Sequence, residues 1–143
     1  MKDKKIKIVI GSDLEDVRMA DIIAERLCNY AGIPQDICSE IRLCMAEAVN
    51  NSIIHAYDRK SGKEVEISFC FCPDRLMLHV CDTGTPMSLD LYDLPCNQSQ
   101  NQENTDIPAG GRGFEIIKKI MDTVDYVKKN QKNCLIMTKI LKR

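Results

Sequence analysis

Leu43-Cys44-Met45-Ala46-Glu47-Ala48-Val49-Asn50-Asn51-Ser52-Ile53-Ile54-His55-Ala56-Tyr57 is the stretch on which the reading of this chain turns. Glu47 is its only formal charge, and a helix with so little charge must be buried on most sides. At about 100° per residue, Ile37, Ile41, Cys44 and Ala48 form one stripe, and Glu47, Asn51 and His55, at i, i+4 and i+8, run along or into it. Three polar groups are therefore expected to face inward together. An unpartnered buried carboxylate is costly, so the spacing asks for something polar and charged opposite it, such as a metal-nucleotide complex. The plainer alternative pairs Glu47 with a nearby arginine or with backbone amides, and the helix pattern alone does not separate the two.

The flanking segments make this helix part of a larger pattern. Upstream, residues 4 to 10 alternate as a strand, and Ser12 with Glu15 reads as a capping box opening a helix. Val17, Ala20, Ala24, Leu27 and Ala31 recur at helical spacing, Gly32 suits the C-terminal cap, and Pro34 suits the first turn of the second helix, which runs to about Tyr57. Downstream, Val65, Ile67, Phe69 and Phe71 share one face of a strand. The residues at 72 to 75 turn the chain, and Leu76, Leu78 and Val80 return on a second strand.

That second strand ends in Asp82-Thr83-Gly84-Thr85-Pro86. Asp82 continues its core face, and a carboxylate, which only accepts hydrogen bonds, selects a ligand offering an amino group. Gly84 lets backbone approach a flat ring closely. From Thr83 to Gly110 no period persists, and the segment 97–106, NQSQNQENTD, contains no apolar residue; such long loops are functional lids or linkers. Gly110-Gly111-Arg112-Gly113-Phe114 ends the loop and opens a helix from about Phe114, where free amides and the helix N-terminus favour phosphate. It is neither a Walker A sequence nor a dinucleotide fingerprint. Ile117, Ile120, Met121 and Val124 are spaced for that helix's core face, and residues 126–127 and 135–140 make a closing hairpin joined by KKNQKN.

Taken in order, Glu47 to Tyr57 looks like the N box, Asp82 to Pro86 the G1 box and Gly111 to Phe114 the G2 box of the GHKL superfamily of gyrase, chaperone, histidine-kinase and MutL ATPases. The E-A-x-x-N-x-x-x-H-A-Y form, with D-x-G-x-P and G-R-G, most resembles the bacterial anti-sigma-factor serine/threonine kinases, over essentially the whole chain. The resemblance implies an α+β two-layer sandwich of the Bergerat type, a mixed, mainly antiparallel sheet with helices on one face. It implies one ATPase domain over residues 1–143, an ATP lid at about 83–112, and ATP and Mg²⁺ as cofactors. By motif, Glu47 would be the general base, Asn51 would hold Mg²⁺, and Asp82 would accept from the adenine amino group. Gly84 would line the adenine pocket, with Gly110, Gly111, Arg112, Gly113 and Phe114 at the nucleotide and its phosphates. The closing hairpin departs from the family, carrying Asn133-Cys134 where relatives have a Gly-Thr pair near the adenine, and the lid is rich in Asn and Gln with few basic residues.

The function implied is that of an anti-sigma factor that sequesters a sigma factor and phosphorylates a serine or threonine on an anti-anti-sigma antagonist, as a homodimer in the cytoplasm. A non-catalytic ATP-binding regulator is the alternative, against which the intact Glu47 argues. The catalytic piece of a two-component histidine kinase is disfavoured, because about a dozen residues precede the first helix. His55 as phosphoacceptor is disfavoured too, because a buried site beside the nucleotide cannot present it to a second protein.

Bulk properties fit this reading. The chain has 143 residues, 44% hydrophobic and 29% charged, as in an ordinary globular domain. A net charge of −1 gives no field for nucleic acid or an anionic membrane surface, and the apolar run at residues 6–10 is far short of a membrane span. Eight cysteines with no C-x-x-C pair and only two histidines argue against a zinc site. They read as reduced thiols acting as small apolar residues, while His79, on the opposite face of its strand, reads as structural.

Overall fold

A computed structural model describes residues 3–88 and 109–141, apart from the side chains of 109–112. Its elements run β1 (Lys4–Gly11), α1 (Leu14–Tyr30), α2 (Gln35–Asn51), a π turn (Ser52–Ala56), β2 (Glu64–Phe71), β3 (Arg75–Asp82), α3 (Ala109–Ile120), β4 (Thr123–Lys129) and β5 (Lys132–Ile140). The strands lie in the order β1-β2-β3-β5-β4. All four pairings are antiparallel, where the resemblance implies a mixed sheet. Two of those pairings are hairpins, which can only be antiparallel; the β4–β5 turn is the two-residue Asn130-Gln131, both with positive φ.

The expected alternation sets which side of the sheet is covered. Ile67 pairs with Val80 and Phe69 with Leu78, and on β5 Leu135 and Met137 continue the same rows. All six are buried, and they join Ala20, Ala24 and Cys28 of α1, Ile41, Met45 and Val49 of α2, and Phe114 and Ile117 of α3 in one core. The result is the two-layer α+β sandwich, helices on one face. No helix among the described residues is long and apolar enough to cross a membrane.

Several local expectations change. Helix α1 is capped by Asp13, whose N–H donates to Asp16 Oδ2 at 3.1 Å, and not by Ser12 with Glu15. The Ser12 hydroxyl instead donates to Lys60 O at 2.6 Å and accepts from Lys63 N–H at 3.0 Å, tying β1 to the loop before β2. Gly32 is the left-handed residue after α1, as expected, but Pro34 is the N-cap of α2, one place before its first turn. Helix α3 starts at Ala109, ahead of Phe114, so Gly110, Gly111 and Gly113 lie inside it. Val124 belongs to β4 rather than to that helix: the chain leaves α3 at Ile120, and Asp122 N–H already donates to Thr138 O at 2.9 Å.

The cysteines divide. Burial pushes the thiols of Cys28 and Cys44 up to about 12, so they stay protonated and act as small apolar groups, as expected. Cys81 and Cys134, however, form a disulfide, which corrects the expectation of reduced thiols throughout. They are direct partners in the β3–β5 register, with Cα atoms 4.1 Å apart.

Candidate functional site

Helix α2 does not end as a plain α-helix. Tyr57 N–H reaches back five residues to Ser52 O at 2.9 Å, the signature of a π turn, a feature that recurs at functional sites. The polar Asn50-Asn51-Ser52 followed by two β-branched isoleucines weakens the α ladder there. The turn aims the Ala56 carbonyl at the end of β3, where it accepts Thr85 N–H at 2.9 Å. Tyr57 reinforces the junction, donating to Glu64 O at 2.5 Å and accepting from Thr83 N–H at 2.9 Å.

Between this helix end and the ends of β3 and β5 lies a cleft that opens to solvent. Val80 and Leu135 give it an apolar wall, and Asn51, Asp82 and Asn133 give it polar groups. Asn51 Nδ2 is buried and has no hydrogen-bond partner among the described residues. Since nearly all such atoms in native proteins are paired, this amide marks where a polar ligand belongs. His55 lines the mouth but is exposed, against the expectation that it is buried, because the π turn carries the chain to the surface.

Asp82 is the most connected group at the floor. It is 9% exposed; Ser52 Oγ donates to its Oδ2 at 2.7 Å, and Gly84 N–H and Asn133 Nδ2 donate to its Oδ1 at 3.1 and 3.0 Å. Asn133 Nδ2 also donates to Gly84 O at 2.9 Å. Three neutral donors therefore hold the carboxylate in one orientation. Gly84 is required by close approach: a Cβ there would collide with the Ala56 carbonyl oxygen, which is backbone and cannot swing aside.

Glu47 sits one turn before Asn51 on α2, half-buried. Neither of the expected partners, an arginine or backbone amides, is found for it among the described residues. Its carboxylate is instead pressed against Gly113 of α3, where an added Cβ would strike Oε2. Helices α2 and α3 thus bring the N-box glutamate and the G2-box glycine together. Gly110, Gly111 and Arg112 lie in the first turn of α3, the Arg112 side chain being outside the described residues, as is most of the expected 83–112 lid. Phe114 is fully buried and does not line the cleft; it seats α3 in the core.

Two cleft residues went unread in the sequence. Ser52 is a hydroxyl in an apolar helix, which signals a partner to be found. Asn133 registers only as a departure from the family pattern, yet the alternation from Met137 through Leu135 puts it on the inner face.

Comparison with known proteins agrees with this geometry. The serine-protein kinase RsbW of Halalkalibacterium halodurans is 28% identical over 139 residues, 96% of this chain and 84% of that one. Among solved structures, the RsbU and RsbW domains of Rv1364c from Mycobacterium tuberculosis superpose with a TM-score of 0.69 at 13% identity, covering 98% of this chain and 33% of that one. The catalytic domain of the histidine kinase ThkA gives 0.55 at 13% identity, covering 99% and 98%. The family model described as the histidine kinase-like ATPase domain matches residues 10–139, and the chain belongs to that family.

Proposed function

We propose that this protein is an ATP-dependent serine/threonine protein kinase of the anti-sigma type, which phosphorylates an antagonist protein and binds a sigma factor. The observation that carries this is the pairing of a Glu47 carboxylate held against Gly113 with a buried Asn51 amide one helical turn away, neither having a hydrogen-bond partner among the described residues. Curated relatives named serine-protein kinase RsbW, aligned over most of their length, supply the reaction class.

In this reading Asn51 would hold Mg²⁺ through its side-chain oxygen, and the ion would supply charge neutralisation for phosphoryl transfer. Glu47 accepts the proton of the incoming serine or threonine hydroxyl and orients its oxygen. Asp82, locked by Ser52, Gly84 and Asn133, takes the adenine amino group, and Gly84 lets the Ala56 carbonyl close in behind it. Glycines 110, 111 and 113, with Arg112, stand at the phosphates, where the lid of about 83–112 ends. The whole of residues 1–143 forms the one ATPase domain, working in the cytoplasm as a homodimer.

The test combines protein, Mg²⁺, γ-labelled ATP and candidate antagonist proteins. Label is expected on a serine or threonine of an antagonist, and Glu47→Gln should reduce its transfer at least about 100-fold while leaving ATP bound. Transfer indifferent to Glu47→Gln would refute the assignment.

A further inference from the structure

We infer that Asn133 is a specificity-determining residue, which selects an adenine over a guanine ring by filling one oxygen of Asp82. The inference rests on the nucleotide-binding reading above and deepens it.

A carboxylate has about four acceptor positions, two on each oxygen. On Asp82, Oδ1 receives both Gly84 N–H and Asn133 Nδ2, so its positions are taken; Oδ2 receives Ser52 Oγ, so one remains. The orientation of the Asn133 amide follows from chemistry. Its two neighbours, Asp82 Oδ1 and Gly84 O, are both acceptors, so the atom facing them is the nitrogen. Both partners are largely buried, Asn133 at 6% exposed and Asp82 at 9%. The amide is also held in register: Asp82 and Asn133 are cross-strand partners, and the adjacent rung is the Cys81–Cys134 disulfide.

One remaining position on Asp82 suits one N–H. The adenine edge presents its 6-amino group and needs no more than that from a carboxylate. The guanine edge presents N1–H and a 2-amino N–H side by side and matches a carboxylate with both oxygens open. Against Asp82 as built, one guanine donor meets a saturated oxygen at the floor of the cleft, and an unpaired buried donor is what specificity is made from. Asn133 is the removable part of this lock, since the Gly84 donor is backbone.

Calorimetric titrations with the Mg²⁺ complexes of ATP, GTP and ITP test this on wild type and Asn133→Ala, each checked for folding by circular dichroism. Wild type should prefer ATP over GTP by at least about tenfold, and Asn133→Ala should narrow that ratio at least about tenfold, chiefly through tighter GTP. Wild type alone gives an independent reading. ITP has N1–H without the 2-amino group, so with Oδ1 filled it is spared the unpaired donor and should bind at least about tenfold tighter than GTP. An unchanged ATP:GTP ratio in folded Asn133→Ala, or wild type binding GTP as tightly as ITP or more tightly, would overturn the inference. Wild type failing to bind ATP at all would instead defeat the nucleotide reading on which it stands.

Discussion

Replacing Gly113 with alanine should make the protein more stable and less active, and the two effects have separate origins in the structure. Gly113 is the fifth residue of α3 and helical. Exchanging glycine for alanine inside a helix gains about 1 kcal/mol, worth roughly 3–5 °C in Tm at this size. The obstacle to the new methyl is the Glu47 carboxylate, the far end of a flexible side chain, while Glu47 Cβ stays at an ordinary 3.6 Å. The carboxylate must therefore retreat by roughly 1 Å, a displacement that can cost about 100-fold in rate when the displaced group acts on the reacting atoms. The assay pairs thermal unfolding with single-turnover phosphate transfer. A Gly113→Ala protein that transfers at the wild-type rate, or that is destabilised, would refute the reasoning.

Gly84→Ala should behave oppositely, losing stability by about 1–3 kcal/mol and ATP binding with it, because the obstructing Ala56 carbonyl is backbone and the Thr85 bond to it must break; denaturant unfolding and calorimetry measure both. Reducing the Cys81–Cys134 disulfide, which spans 53 residues, should remove up to about 4 kcal/mol of loop-closure stabilisation, read as a drop in Tm with dithiothreitol that Cys81→Ser abolishes. Burial lowers the pKa of His79, and its Nε2 is buried without a hydrogen-bond partner among the described residues. Below the ordinary histidine pKa the unfolded chain binds a proton that the folded one refuses, so stability should fall with pH from there through the lowered folded value. His79→Gln should shrink the Tm difference between about pH 7.5 and about pH 5, and an undiminished difference would contradict this.

Much of the framework was legible because it rests on local periodicity. Val65 to Phe71 and Leu76 to Val80 alternate, and both strands form with those faces buried. Glu47 and Asn51 were readable because charge and amide in an apolar helix are conspicuous. What escaped depends on contacts distant in sequence. The start of α3 at Ala109 overrides the low helix propensity of its glycines, because α3 packs on α2, where Gly113 meets Glu47. The disulfide and the Asn133–Asp82 bond follow from the β3–β5 register, which neither strand's own pattern specifies. The π turn at Ser52–Ala56 leaves no signature in hydrophobic spacing, and only an unbroken α-helix would put His55 inside.

The central claim is that the cleft beside Asn51 and Asp82 receives a purine triphosphate whose Mg²⁺ is held from α2. Calorimetric titration of ATP into wild type and Asn51→Ala, each with and without Mg²⁺, tests it most directly. Tight binding by wild type that weakens at least about tenfold without Mg²⁺, and an Asn51→Ala protein that gains nothing from the ion, is the expected result. Binding equally tight with and without Mg²⁺, or unaffected by Asn51→Ala, would contradict it.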